Sequence, residues 1–375
     1  MTSIQNALIV GGGIAGLTTA TALSRTGISC EVVDLADGPA GAAISLLNRA
    51  VDGLAEIGVL DQCLDKGLAV SPQDIFAYFD AAGKPVSTPP MPPAPTSALP
   101  HGILIYRPTL ANILRRAAEQ AGASVRNGVG LAGLRQTEDS VTATLTDGSE
   151  RSYDLAIGAD GIRSKTRSLI LGNQVTPTYS GLTMFRWVAD GVPDVGPIGH
   201  YESEYLCVTR RQRDGGLYLA TGREFPERPR IDAAQARQIV RENLRAFAAP
   251  LMRALEERLT DDTKIIVNDY DWLLVSEPWY RGRVLLIGDA AHATTAHLGA
   301  GGGMAIEDGV VLGQECAAGG PLEDVFKRFM TRRFERARLV VQTSVELDRM
   351  QQRGEPIAAQ NKVRGRAMEA LSSPY

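Results

Sequence analysis

Four short segments of the chain combine glycines and carboxylates in ways that suit phosphate and ribose chemistry. The first is Gly11-Gly12-Gly13-Ile14-Ala15-Gly16, a G-x-G-x-x-G pattern. It follows the apolar run Ile4 to Val10 and opens a small-residue helical pattern through Leu23, so it lies at a strand-to-helix turn. There Gly11 permits the tight turn, Gly13 lets the backbone approach a pyrophosphate, and Gly16 lets helix and strand pack closely. The helix start at Ile14 and Ala15 adds free N–H groups and a partial positive charge. Gly27 stops that helix, and Cys30 to Asp34 reads as a second strand ending in a carboxylate 18 residues beyond Gly16. Asp34 can accept hydrogen bonds from a ribose diol. Together these residues point to dinucleotide binding, without choosing between NAD and FAD.

The second segment, Asp154 to Ser164, reads as a strand running into a turn at Gly158, Asp160 and Gly161. The third, Gly282 to His292, is another strand, ending at Gly288-Asp289. The fourth, Thr294 to Met304, is a glycine-rich loop opening a helical pattern. Such a loop can aim backbone N–H groups at an oxygen that gains negative charge during reaction. The elements around these segments must bring all four to one place.

The rest of the composition excludes several functions. With 39 basic and 43 acidic side chains the net charge is −4, and the sequence pI is about 5.7. Such a chain has no global pull on nucleic acid or anionic lipid. No apolar run reaches the roughly 18 residues a membrane helix needs, and the first residues lack the pattern of a signal peptide. Cys30, Cys63, Cys207 and Cys316 are scattered, which reads as reduced core cysteines of a cytoplasmic protein. No His/Cys spacing suggests a metal site. Glycine is the outlier, 39 of 375 residues against the roughly 7% usual in proteins.

The order and spacing of G-x-G-x-x-G, Asp160-Gly161 and Gly288-Asp289 resemble those of the single-component flavoprotein aromatic hydroxylases, the para-hydroxybenzoate hydroxylase-like monooxygenases. The likeness runs from residue 4 to about residue 345. It implies FAD as cofactor, NADH or NADPH as co-substrate, and hydroxylation of a small aromatic by O2 through a flavin C4a-hydroperoxide. It implies that Asp289 binds a ribityl hydroxyl and that Asp160 sits in a turn serving FAD and pyridine nucleotide. Arg107, at a helix start, would contact the FAD phosphate and flavin region, and Leu131 would pack on adenine. Ala43 and Ile44 match a loop along the isoalloxazine. Gly301, Gly302, Gly303 and Met304 would face its N1–C2=O edge. The sequence departs from the family at Ala296, commonly proline, and at Ala300, commonly glutamine, which puts the shape of the substrate cavity in question.

The expected fold is α/β. A Rossmann-type FAD-binding domain, a parallel sheet with helices, comprises residues 1–70, 101–178 and 270–350. A β-sheet-plus-helix substrate domain (71–100 and 179–269) is inserted in it, and 351–375 form a C-terminal helical tail with no third unit after it. In the family the insertion roofs the flavin, which makes Arg186 and Tyr218 candidates to pair with a phenolate or carboxylate and to hydrogen-bond a ring hydroxyl. His297 is the candidate to polarise a phenol. Seven prolines between Pro85 and Pro100 read as a surface loop, and Leu322 to Met350 as a long helix with a solvated basic face. The expected state is a monomer or homodimer. A halogenase is disfavoured because Trp-x-Trp-x-Ile-Pro is absent. A peroxide-producing NAD(P)H oxidase or reductase, or a non-catalytic FAD-binding accessory protein, are the alternatives.

Overall fold

The run Ala7-Leu8-Ile9-Val10 is buried on both faces, as a central parallel strand requires. The computed structural model describes residues 4–36, 38, 41, 43–47, 49–71, 76–86, 101–213 and 215–375. In it Asn6–Val10 pairs in parallel with Ser29–Asp34 on one side and Leu155–Gly158 on the other. The sheet order is Tyr280–Arg281, Val284–Leu286, Leu155–Gly158, Asn6–Val10, Ser29–Asp34, Ser124–Asn127, parallel except for the first pair. This topology brings the ends of four strands, and with them Gly11, Asp34, Asp160 and Asp289, to one edge. Most of the proline-rich connector, from residue 87 to 100, lies outside the described residues.

Two close approaches fix that edge. Gly11 has φ +112°, and a Cβ on it would lie 2.2 Å from the carbonyl oxygen of Ala159. The first and second sequence motifs therefore touch backbone to backbone. Behind them the helix Ile14–Arg25 packs on the helix Gly301–Ala318. A Cβ on Gly309 or Gly313 would stand 2.7 Å from Thr19 N or Ala22 Cβ. Only glycine on one helix and small residues on the other permit that spacing.

A second six-stranded sheet forms the roof, in the order Ile266–Trp272, Thr178–Ala189, Leu217–Glu224, Leu206–Arg211, His200–Glu202, Tyr78–Phe79. Side-chain alternation sorts its residues. Phe185, Trp187, Leu217, Leu219, Cys207 and Tyr201 form a core with the helices Ala233–Arg245 and Pro250–Arg258. Met184, Arg186, Tyr218, Ala220, Val208 and Tyr270 have the opposite parity, and several of them cluster with Ala43 of the FAD-side strand Ala43–Leu47. Ala43 and Ile44, expected in a loop, instead begin this strand, antiparallel to Gly102–Tyr106.

The helix Leu322–Gln352 corrects the expectation of a solvated basic face. Arg333 is fully buried; its Nε donates to Asp308 Oδ1 at 2.8 Å and a second guanidinium nitrogen to Glu307 Oε2 at 2.5 Å. Arg336 also pairs with Glu307, while Arg328 and Arg332 pair with Glu315. Asp308 Oδ2 accepts the Gly288 N–H at 2.8 Å and faces His292 Nε2 at 2.6 Å. The tail is also anchored: at the end of its helix Ile357–Ser372 the Ser372 and Leu371 carbonyls accept from Arg49 and Arg336, and beyond it the Tyr375 carbonyl accepts from Arg332. Among the described residues no helix is long and apolar enough to cross a membrane.

Burial alone raises the pKa of the Asp308 carboxyl, but His292, Arg333 and the Gly288 N–H override it and hold it down at about 2. A carboxylate depressed in the fold contributes stability above its unfolded pKa, near 4, and loses it as pH falls through the folded value. Asp308→Asn is expected to destabilise the protein by about 3–5 kcal/mol at pH 7, because it leaves Arg333 short of a counter-ion. Denaturant unfolding of both proteins should show that gap narrowing as pH falls below about 4; a gap independent of pH would contradict this account.

Candidate active site

At the strand-end edge Gly13, Asp34, Asp160 and Asp289, all picked out from the sequence, keep access to solvent. Gly13 is exposed and nothing lies within 4 Å of where its Cβ would stand, so the helix start is open to a bulky anion. Asp34 Oδ2 accepts the Gly12 N–H at 2.7 Å and Oδ1 the Ala36 N–H at 2.8 Å. The carboxylate therefore braces the loop it was expected to complete, with a spare lone pair on each oxygen for a diol. Asp160 is committed locally: Oδ1 accepts from Ser164 Oγ, and Oδ2 from the N–H and hydroxyl of Thr166. It shapes the turn that meets Gly11. Leu131 is nearly buried in the core behind that edge.

Asp289 differs from these braces. It is exposed to solvent yet ringed closely enough by protein that burial raises its pKa, with His292 and Arg107 opposing. A group both accessible and enclosed lines the floor of a cleft. Its carboxylate has no hydrogen-bond partner among the described residues, and Arg107, at the start of the helix Arg107–Gln120, shares the same field. Farther along, the loop turns through a bond from Gly299 N to the Ala296 carbonyl. The first bond of the following helix runs from Met304 N to Ala300 O at 2.9 Å. The N–H groups of Gly301, Gly302 and Gly303 precede that bond and have no intrahelical acceptor. Ile44 packs under Gly302, while Met304 is buried beside Arg333. An open helix start, an unpartnered carboxylate, a facing arginine and a row of free N–H groups fit the phosphates, ribityl chain and flavin edge of FAD.

The roof completes the far side. Arg186 donates to Asn268 Oδ1 at 2.9 Å and reaches the Tyr270 hydroxyl at 3.4 Å, with the Tyr218 hydroxyl also beside it. Burial works against its charge, but these two tyrosines more than offset that and raise its pKa. Tyr270 in turn meets His297 edge-on, ring centroids 5.6 Å apart. Thus all three catalytic candidates, Arg186, Tyr218 and His297, are linked, through Tyr270, which sequence reading missed. Its signal was present: Tyr270 has the alternation parity of Asn268 in a strand not recognised as part of the roof.

His297 Nδ1 lies 3.0 Å from Thr295 Oγ1 and Nε2 3.2 Å from Gln351 Oε1. Burial and the charge of Arg364 push its pKa down to about 3, against the Gln351 hydrogen bond. It is therefore neutral at ordinary pH. Asp348, 3.5 Å from His297 Nε2, is pushed up to about 6 by burial. Beside Arg364, Tyr78 stacks on His200 at 4.8 Å, and Glu202 is raised to about 7 by burial despite that arginine.

Comparisons with known proteins point to the same cofactor. A family described as FAD binding domain matches residues 5–344. Aurachin C monooxygenase/isomerase of Stigmatella aurantiaca is 31% identical over 98% of this chain and 94% of its own length. The FAD-dependent urate hydroxylase of Klebsiella pneumoniae subsp. pneumoniae is 30% identical over 90% of this chain and 88% of its own. The fold is shared with Klebsiella pneumoniae HpxO in complex with FAD and uric acid, at TM-score 0.80 and 22% identity over 98% of this chain and 95% of that one. It is likewise shared with 2-methyl-3-hydroxypyridine-5-carboxylic acid oxygenase, at TM-score 0.79 and 21% identity over 99% and 96%. The chain belongs to the FAD-binding family of flavoprotein aromatic hydroxylases and is an FAD-dependent monooxygenase.

Proposed function

We propose that the chain hydroxylates a small phenolic, aminoaromatic or N-heteroaromatic substrate, with NADH or NADPH as electron donor, in the cytoplasm. The observation that carries this reading is the Arg186–Tyr218–Tyr270 cluster on the roof, joined through Tyr270 to His297 of the glycine loop. In this reading the parallel-sheet domain holds FAD and the inserted sheet holds the substrate. Asp289 takes a ribityl hydroxyl, Arg107 and the Gly11–Gly16 turn the pyrophosphate, and the Gly301–Gly303 N–H groups the flavin edge. Bound FAD supplies the electron transfer from nicotinamide and the activation of O2.

The protein's own residues orient and ionise the ring. A cation flanked by two phenols can hold an ionising hydroxyl in place, since charge-assisted hydrogen bonds favour the oxyanion. Three aromatic or aliphatic walls, Tyr270, Met184 and Ala220, keep water from the reacting face. His297 takes part as a neutral wall, because burial disfavours its protonation and Thr295 and Gln351 engage its two ring nitrogens.

Screening phenols, aminobenzoates and hydroxylated N-heterocycles should find compounds that stimulate NAD(P)H oxidation and are recovered hydroxylated. Complete conversion of reductant to hydrogen peroxide with every aromatic would favour an oxidase. Stoichiometric FAD without any NAD(P)H-driven reduction would favour a non-catalytic protein.

Two variants separate the halves of the site. Asp289→Asn should weaken FAD retention about tenfold or more, the scale of a lost charged hydrogen bond, read by flavin release on dilution. Tyr218→Phe should keep FAD, yet slow formation of hydroxylated product about 10²-fold, the lower end expected when a proton-handling partner is lost. An unchanged rate of product formation would remove Tyr218 from the chemistry.

A further inference from the structure

The helix Ile357–Ser372 buries one arginine against the roof. Arg364 is 4% exposed, and its guanidinium lies over the rings of Phe76 at 5.1 Å and Tyr78 at 5.6 Å. One terminal nitrogen donates to Asn361 Oδ1, and the other reaches the His297 carbonyl at 3.5 Å. Its buried Nε has no hydrogen-bond partner, and no carboxylate forms an ion pair with it among the described residues. Glu202 acts on it only at longer range.

The contrast with Arg333 is direct. That side chain is equally buried but holds two carboxylates, Glu307 and Asp308. Removing a guanidinium from water without a counter-ion is costly, so buried charges are normally paired. Arg364 has neutral acceptors, the Tyr78 hydroxyl among them, and two π faces, which steady the plane of the cation but leave its Nε–H unsatisfied. The residues it touches border the candidate site. Tyr78 stacks on His200 of the roof, and His297 lies edge-on to Tyr270, the partner of Arg186.

We propose that Arg364 is a specificity residue that receives a carboxylate carried by the aromatic substrate, through the edge bearing Nε–H and the terminal nitrogen near His297. The inference rests on the reading of this chamber as the aromatic-substrate site. A carboxylate matches that edge because its two oxygens can take two parallel N–H bonds. The Arg186–Tyr218–Tyr270 cluster, by contrast, offers converging single contacts suited to one hydroxyl oxygen. The substrate then spans the two arginines, with its acid at the C-terminal helix and its ionising hydroxyl at the roof.

Holoenzyme titrations followed by flavin absorbance test this. The probes are 4-hydroxybenzoate and 6-hydroxynicotinate, each against its neutral carboxamide. The native protein should bind each acid at least tenfold tighter than its amide. Arg364→Gln should bring that ratio close to one by weakening the acid alone, with FAD content unchanged. Arg364→Lys, which keeps the charge without the paired N–H geometry, should give an intermediate ratio. Equal weakening of acid and amide in Arg364→Gln would assign a merely structural role and overturn the proposal. So would a native protein that does not prefer the acid. If Arg364→Gln fails to fold, a native ratio left unchanged in Arg364→Lys overturns it equally. Amides that stimulate NAD(P)H oxidation and are hydroxylated as well as acids would overturn Arg364 recognition while leaving the hydroxylase reading intact. Probes that all fail to perturb the flavin would overturn Arg364 recognition and leave the hydroxylase reading to the wider aromatic screen.

Discussion

The buried Asp308 carboxylate is the point on which the site's geometry depends. One of its oxygens takes the Gly288 N–H and faces His292; the other takes Arg333. Three separate chain segments are thereby tied: the strand end that presents Asp289, the glycine-started helix, and the long helix behind both. Buried ion pairs are poor sources of net stability when compared with apolar packing, but they are intolerant of misplacement. Here that intolerance serves position. Asp289 is left without a hydrogen-bond partner of its own among the described residues, so its placement is inherited from the neighbouring residue's N–H.

The opposite wall is positioned by a different constraint, the two-residue period of the roof sheet. One face of that sheet is committed to an apolar core with two helices, and Phe185, Trp187 and Leu219 lock its register. A shift by one residue would bury Arg186 and Tyr218 in that core and expose the aromatic ring of Trp187 to the site, so the core excludes it. The polar face is thus specified by the apolar one. Such a division lets residues toward the site vary while the fold is retained, since the packing that fixes register is elsewhere.

Legibility of the chain in its sequence followed the same division. The phosphate-side elements could be read because backbone geometry demands particular residues there. Only glycine fits at Gly11 against Ala159, and a strand-end carboxylate follows at a fixed interval. The roof was legible as strands, and Arg186 and Tyr218 as candidates, but no local pattern shows which distant strands pair. Tyr270 therefore escaped, lying in a strand paired to Thr178–Ala189 some eighty residues earlier. The arginines of the long helix were misjudged for a related reason. Helical periodicity reports which side chains share a face, and Arg333 shares its face with apolar neighbours. Its carboxylate partners lie on another helix, so burial and pairing could be seen only in three dimensions. Arg364 went unread because the helical tail's own sequence carries no sign of the distant rings and carbonyl that enclose it.

The two departures at Ala296 and Ala300 bear on how such a site diversifies. Both residues contribute carbonyls to the loop, Ala296 to Gly299 N and Ala300 to Met304 N. Those bonds shape the turn and start the helix whatever side chains the residues carry, so the row of N–H groups at Gly301 to Gly303 is independent of them. Between the two alanines, His297 points toward Tyr270 and offers its carbonyl to Arg364. The backbone of one short loop presents the free N–H groups and a carbonyl to Arg364, while the His297 side chain faces the roof. Substitution there changes the roof-facing side of the loop without moving its row of N–H groups, which is the physical reason one backbone frame accommodates different side-chain walls.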